Sequence, residues 1–80
     1  MSLADEIQIV RHSAFLTQLD FANELNVAFS TVNRWETGKS SPNQSVIKML
    51  KEFCEDRNID FSGIEREWIM RRLGDSNNER

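Results

Sequence analysis

Apolar residues recur every three or four positions along most of this 80-residue chain, and sustained alternation of apolar and polar residues, typical of half-buried strands, is absent. Three glycines, one proline and no tyrosine also give strands little support. The pattern therefore predicts an all-helical fold. Near the start, Ile7 and Val10 lie one turn apart, and this spacing predicts a first helix at about 4–12.

A second and a third helix are predicted on either side of Asn26. Phe21 and Leu25 recur at helical spacing behind Thr17, a good N-cap, which predicts a helix ending at Leu25. Asparagine tolerates the left-handed backbone that often ends a helix, so a tight turn is expected at Asn26. The third helix, at about 28–37, is expected to bury Val27, Val32 and Trp35 and to turn Ser30, Thr31, Asn33, Arg34 and Thr37 mostly elsewhere.

A fourth helix is predicted after Gly38, which is expected to stop the third. Ser41 and Gln44 have the spacing of a capping box, which predicts the start of a helix that runs to about Asp56. Its core-facing stripe is expected to consist of Val46, Ile47, Leu50, Phe53 and Cys54.

The fifth helix completes a single predicted domain. Ser62 followed by Glu65 predicts its N-cap, and Gly74 is expected to end it. A chain of 80 residues has room for one core, so one domain is expected at 1–74. Residues 75–80 contain no apolar side chain and are expected to form a flexible tail.

The charge of the chain is unevenly distributed. Its net charge is −3, although nucleic-acid-binding domains are more often basic. Residues 28–51 carry four cations (Arg34, Lys39, Lys48 and Lys51) against Glu36 alone, whereas residues 52–80 carry five cations against eight anions. A basic middle with an acidic end is compatible with a surface that faces DNA, and also with many proteins that do not.

Several classes of function have no support in the composition. Cys54 is the single cysteine and His12 the single histidine, so zinc-ligand spacing is absent, as are a phosphate-binding glycine loop and a serine–histidine–acid set. We expect no catalysis by this chain, no metal, no cofactor and no small-molecule ligand. Without a long apolar run or a signal-peptide pattern, a cytoplasmic protein away from membranes is expected.

One segment resembles a known family. From Leu16 to Pro42 the chain has L-T-Q-L-D-F-A-N-E-L-N-V-A-F-S-T-V-N-R-W-E-T-G-K-S-S-P, which is similar to the phage-repressor/Cro-type (Xre-like) helix-turn-helix family. The resemblance covers roughly residues 7–56. It implies a compact five-helix, lambda-repressor-like domain with a central helix-turn-helix at about 17–37. It also implies sequence-specific binding of double-stranded DNA by a transcriptional regulator, with the third helix in the major groove.

The same resemblance implies roles for individual residues. The expected base-contacting residues are Phe29, Ser30, Asn33 and Arg34. Asparagine suits adenine, arginine suits guanine, and phenylalanine suits the thymine methyl group. The expected phosphate-contacting residues are Gln18, Thr37, Lys39, Ser40 and Ser41. Arg11 and Glu36 match a structural ion pair between the first and third helices.

Two departures from the family pattern leave alternatives open. Family members usually have glycine at the position of Asn26 and serine or threonine at that of Ala28, and alanine cannot cap a helix. Either the core compensates, or Ser30 becomes the cap and the helix begins later. Phe29 is less usual than a polar residue at its position, so packing inside the protein or against a protein partner is an alternative to base contact.

Other functions and partners also stay open from the sequence. The same fold could serve protein–protein interaction, or it could be the DNA-recognition domain of a larger assembly such as an antitoxin or a restriction-modification system. A nucleic-acid enzyme would need a catalytic domain outside this chain. A homodimer through the C-terminal helix is also a hypothesis, based on its apolar residues Ile64, Trp68, Ile69 and Leu73.

Overall fold

Helix caps and turns divide the described part of the chain into five helices. The computed structural model describes residues 2–78, with side chains described as far as Leu73, and it contains no strand within that range. In chain order the helices are α1 (Leu3–Ser13), α2 (Gln18–Leu25), α3 (Phe29–Glu36), α4 (Gln44–Arg57) and α5 (Ser62–Asn78). The predicted all-α, five-helix architecture is confirmed.

Side-chain oxygens accept the first free N–H groups of α1 and α2. Thr17 caps α2 as predicted, because its Oγ1 accepts from the N–H of Asp20 at 3.1 Å. α1 begins slightly earlier than predicted: Ser2 and Asp5 form a capping box, with Ser2 Oγ accepting from the Asp5 N–H at 3.1 Å. Leu3 is only 5% exposed, so this residue is part of the core.

The predicted N-cap of α4 is wrong. Asn43 supplies the cap instead of Ser41, since Asn43 Oδ1 accepts from the N–H of Val46 at 3.0 Å. The capping oxygen must lie directly before the first helical residue, and asparagine is among the best residue types there. α4 therefore begins at Gln44.

α5 starts and ends differently from the prediction. Ser62 is its first residue rather than its N-cap, and its N–H donates to Asp60 Oδ1 at 2.9 Å. This bond, together with one from the Ser62 side chain, lowers the pKa of the exposed Asp60 carboxyl below its usual value. The helix continues through Gly74 to Asn78, because a glycine inside a helix costs only about 1 kcal/mol. Flexibility at 75–80 stays a prediction, and residues 79–80 lie outside the described residues.

Left-handed residues terminate four of the helices. Phe15, Asn26 and Asn58 have φ of 60°, 58° and 58°, and Gly38 has φ of 79°. In each case the N–H of the residue that follows donates to the carbonyl five residues before it. This hydrogen bond is characteristic of the Schellman motif. These bonds are Leu16 to Arg11 (3.3 Å), Val27 to Ala22 (2.9 Å), Lys39 to Arg34 (2.9 Å) and Ile59 to Cys54 (2.8 Å). The turn predicted at Asn26 and the stop predicted at Gly38 are confirmed.

All five helices contribute to one core, which holds α3 in place. α3 packs against α2 and α1, α1 also packs against α5, and α2 packs against α4. The rings of Phe21 and Phe53 meet edge to face, with centroids 5.3 Å apart. Trp35 is buried in the core as predicted, whereas Trp68 lies at its edge, with the Arg72 guanidinium 5.0 Å from its ring centroid. The third helix is thus braced from two sides.

Candidate nucleic-acid interface

α3 has one buried face and one exposed face. Val32, Trp35 and Glu36 point into the protein. Ser30, Asn33 and Arg34 are exposed, and so is Phe29, which retains 48% of its surface. The four residues expected to contact bases therefore all lie on the surface, on a single helix of eight residues.

α3 begins without a side-chain cap. Ala28 occupies the cap position in an extended conformation, with φ of −72° and ψ of 149°, and its carbonyl accepts from the Thr31 N–H at 3.0 Å. The helix begins at Phe29, so the alternative in which Ser30 is the cap and the helix begins later is wrong. Because Phe29 is half exposed, the alternative that it packs inside the protein is not supported.

Arg11 and Glu36 form an ion pair that joins α1 to the end of α3. Arg11 Nε lies 2.7 Å from Glu36 Oε2, and Arg11 Nη2 lies 2.9 Å from Glu36 Oε1. The side chains are only 12% and 2% exposed. A third bond, from Arg11 Nη1 to the Leu16 carbonyl at 3.0 Å, ties the pair to the loop before α2. A buried charge needs this degree of hydrogen bonding to be tolerated.

Gln18 connects this buried pair to the exposed face. Its Nε2 donates to Glu36 Oε1 at 3.0 Å, and its Oε1 accepts from Asn33 Nδ2 at 3.3 Å. The family resemblance implies a phosphate contact for Gln18 and does not predict this bridging position. It also missed Gln8, which donates to the Glu36 carbonyl at 3.2 Å. Because Gln8 lies one helical turn before Arg11, it could have been identified as a neighbour of the ion pair.

The loop after α3 uses much of its hydrogen-bonding capacity internally. The Thr37 hydroxyl donates to the carbonyls of Asn33 (3.0 Å) and Arg34 (3.3 Å), so it would have to rotate in order to reach a phosphate. The backbone N–H groups of residues 37–40 all bond carbonyls of α3. What remains for an outside partner is the side chains of Lys39 and Ser41, which are exposed, and of Ser40, which is half-buried.

The exposed charges from α3 to the middle of α4 are all positive. Arg34, Lys39, Lys48 and Lys51 are exposed, whereas Glu36, the single acidic residue among residues 28–51, is buried and paired with Arg11. The net charge of the segment therefore understates how positive its surface is. An anionic partner would meet no exposed carboxylate from this segment.

Among the described residues, two other kinds of site are not found. No group of three or more histidine, cysteine, aspartate or glutamate side chains lies close enough to hold a metal ion. Within the same residues, every helix is too short or too polar to span a bilayer.

Comparison with known proteins assigns the family. The Helix-turn-helix model HTH_3 matches residues 13–59, more than half of the chain, and the protein belongs to this family of DNA-binding domains. The sequence is also similar to the HTH-type transcriptional activator BcrR of Enterococcus faecalis, with 32% identity over 53 residues. That match covers 66% of this chain and 26% of BcrR, so the chain spans about a quarter of its relative's length. No solved structure matches the chain significantly.

Proposed function

We propose that this domain binds a specific sequence of double-stranded DNA as the DNA-recognition part of a transcriptional regulator, with α3 in the major groove. The observation that carries the proposal is the division of α3 into a fully packed inner face and an outer face that displays Ser30, Asn33 and Arg34. The major groove accepts one helix and offers hydrogen-bonding groups to it. The similarity to a protein named as a transcriptional activator supports the regulatory role.

The exposed side chains of α3 have the chemistry for base recognition. The Asn33 amide can form two hydrogen bonds with adenine, and the Arg34 guanidinium can form two with guanine. The Ser30 hydroxyl can donate or accept. Phe29 offers an apolar surface that suits the methyl group of thymine, and its 48% exposure leaves the ring available.

Phosphate contacts are assigned to side chains around α3. Lys39 and Ser41 follow the helix and are exposed. We also assign Thr37, Ser40 and Gln18 to backbone contacts, as the family resemblance implies, with the Thr37 hydroxyl rotated and Gln18 using its second amide N–H. These contacts fix the position of the domain without identifying bases.

Salt-dependent binding to duplex DNA tests the proposal. A random duplex library, selected with the domain and sequenced, should yield one enriched motif. The affinity for that motif should fall steeply as salt rises, because each neutralised phosphate contributes about −0.9 to the slope of log K against log salt. Failure to bind any duplex at low salt would overturn the proposal. That result would favour protein–protein interaction on the same fold. The exposed Phe29 and the net charge of −3 are consistent with this second function.

The symmetry of the selected motif tests the proposed homodimer. Ile69, Met70 and Leu73 on α5 are 43%, 60% and 55% exposed and could meet a second copy. Ile64, which the sequence placed in the same contact, is 1% exposed and belongs to the core. A dimer predicts two inverted half-sites about one helical turn apart, whereas a monomer predicts a single asymmetric motif.

Substitutions should separate base contacts from phosphate contacts. Replacing Asn33 and Arg34 with alanine should flatten the base preference at their positions, with a loss of about 1–3 kcal/mol for each good contact. Lys39→Ala should weaken binding to all sequences alike and reduce the salt slope by about 1. Titrations of each variant with the selected duplex and its single-base variants measure both effects. The reverse pattern would contradict this division of roles.

A further inference from the structure

Three polar side chains form a chain of hydrogen bonds from the interior to the exposed face of α3. Glu36 is buried, Gln18 is half-buried and Asn33 is exposed. Glu36 Oε1 lies 3.0 Å from Gln18 Nε2, and Gln18 Oε1 lies 3.3 Å from Asn33 Nδ2. A side chain proposed to face DNA is thus attached, through one intermediary, to the buried ion pair.

The direction of these bonds follows from the chemistry of Glu36. A carboxylate can only accept hydrogen bonds, and the two bonds from Arg11 hold this one as an ion pair. Gln18 must therefore turn its NH₂ group toward Glu36, because the opposite orientation would set two oxygens against each other. The carbonyl oxygen of Gln18 is then left to face Asn33, so Asn33 must donate its own NH₂ group.

This arrangement leaves Asn33 with one defined pair of groups for an outside partner. One N–H of its amide is taken by Gln18, which leaves the second N–H and the Oδ1 acceptor. In the major groove, adenine presents the complementary pair, an acceptor at N7 and a donor at N6. Guanine presents two acceptors instead, which a fixed amide of this orientation cannot satisfy together.

We propose that Gln18 is a positioning residue that fixes the orientation of the Asn33 amide, with Glu36 setting the direction, so that Asn33 selects adenine. The inference rests on the proposed function and concerns a role for Gln18 beyond the phosphate contact. An amide held before binding loses less conformational freedom on binding, which corresponds to an affinity about three- to tenfold higher for the matching base.

Two substitutions of Gln18 distinguish positioning from phosphate contact. Gln18→Met removes every hydrogen bond of the amide, whereas Gln18→Lys keeps a donor for Glu36 or a phosphate but offers Asn33 no acceptor. If Gln18 positions Asn33, both variants lose the preference for adenine. In Gln18→Lys the lysine can still contact a phosphate, so a loss of preference there is not explained by loss of the phosphate contact. Gln44→Met, the same change at the exposed first residue of α4, is the matched control and should retain the preference.

The test uses the selected duplex, with the Asn33 base pair first located from the position at which Asn33→Ala loses its preference. Adenine there is then replaced by 7-deazaadenine, which lacks the N7 acceptor. The native domain and Gln44→Met should lose about tenfold in affinity, and both Gln18 variants should lose about threefold or less. Retention of the tenfold loss in both Gln18 variants would overturn the inference and leave the proposed function intact.

A measurement on the free protein separates failure of the inference from failure of the proposed function. In native protein the order parameter of the Asn33 side-chain amide, from nitrogen-15 relaxation, should exceed that in Gln18→Met, with both proteins folded by their backbone spectra. Equal order parameters would overturn the inference whatever the DNA result. If the native domain binds no duplex at all, the proposed function fails and the inference fails with it.

Discussion

Phe15 combines a left-handed backbone with an exposed aromatic side chain. Its φ is 60°, in the left-handed region that a bulky side chain normally avoids, and the residue is 94% exposed. The conformation serves α1, because it allows the N–H groups of Phe15 and Leu16 to bond the last carbonyls of the helix. The side chain thus carries a backbone cost without a compensating burial of its ring.

Phe15→Gly is expected to stabilise the domain. Left-handed backbone costs a non-glycine residue about 1–2 kcal/mol, and glycine loses about 0.5–1 kcal/mol more than alanine in conformational entropy. The net gain should be about 0.5–1 kcal/mol in the free energy of unfolding by urea. Phe15→Ala is the control: it removes the exposed ring but keeps the Cβ atom, so stability should hardly change. A loss of stability in Phe15→Gly would mean that the ring makes contacts in solution.

Single residues were predictable from the sequence only where a local pattern or the family resemblance identified them. Asn26 ends α2 as expected, because the tolerance of asparagine for a left-handed backbone depends on the residue itself and not on distant contacts. The position of Gln18 between Glu36 and Asn33 was not predictable, because its partners lie 18 and 15 residues away and are brought near only by packing. The resemblance assigned a role to each of these residues but not the bond between them.

At the scale of elements, α3 differs from its neighbour α2 in one respect. Thr17 and Ala28 hold closely similar extended conformations before their helices, with φ and ψ of −73° and 168° for Thr17 and −72° and 149° for Ala28. Only Thr17 offers an oxygen to the first turn. α3 therefore depends more heavily on its packing against α1 and α2.

Ala28→Ser should add the missing cap. Because Ala28 is exposed and already extended, the serine hydroxyl would face the free N–H groups of the first turn, which should raise the free energy of unfolding by about 0.5–1 kcal/mol. Thr17→Ala is the matched opposite change and should lower it by a similar amount. Thermal unfolding of both variants measures the two changes in stability. A destabilising effect of Thr17→Ala without any gain from Ala28→Ser would show that the first turn of α3 is satisfied in another way.

The existence of each helix followed from its apolar spacing, whereas several boundaries did not. Ser41 and Asn43 are both good capping residues, and the spacing of Ser41 to Gln44 favoured the wrong one. Gly74 resembles a helix stop, but glycine ends a helix only where the backbone turns left-handed, as Gly38 does. Caps are decided by backbone conformation, which residue type alone indicates incompletely.

At the scale of the whole molecule, Cys54 makes the stability of the fold decrease at alkaline pH. It is fully buried on α4, and burial, helped by the negative charges of Asp60 and Glu55, raises the pKa of its thiol from 9.0 to about 11. The folded protein thus holds the thiol proton more tightly than the unfolded chain does. The contribution to stability is complete below about pH 9 and is lost as pH rises toward about 11.

The free energy of unfolding should therefore fall between pH 8 and 11 by about 2 kcal/mol more in the native protein than in Cys54→Ala. Alanine leaves a small cavity and lowers stability at every pH, but it removes the titrating group. Urea unfolding across this pH range measures the difference between the two profiles. Parallel profiles would contradict the raised pKa.

The overall architecture was predictable because both short-range patterns and the resemblance pointed to the same five helices. The surface charge was less predictable from the sequence. The net charge of residues 28–51 includes Glu36, although this carboxylate is buried beside Arg11. Charge counts treat every side chain as exposed, and only the packing reveals which charges a partner meets.

The two faces of α3 have a consequence for how this domain can diverge. Ser30 and Arg34 stand on the surface, so substitutions there can retarget the domain to another DNA sequence at little cost in folding. Asn33 is different, since its amide is attached through Gln18 to the ion pair that joins α1 and α3. To give the domain a new DNA target, substitutions should therefore be made first at positions 30 and 34. A substitution at position 33 would require a compensating substitution at position 18.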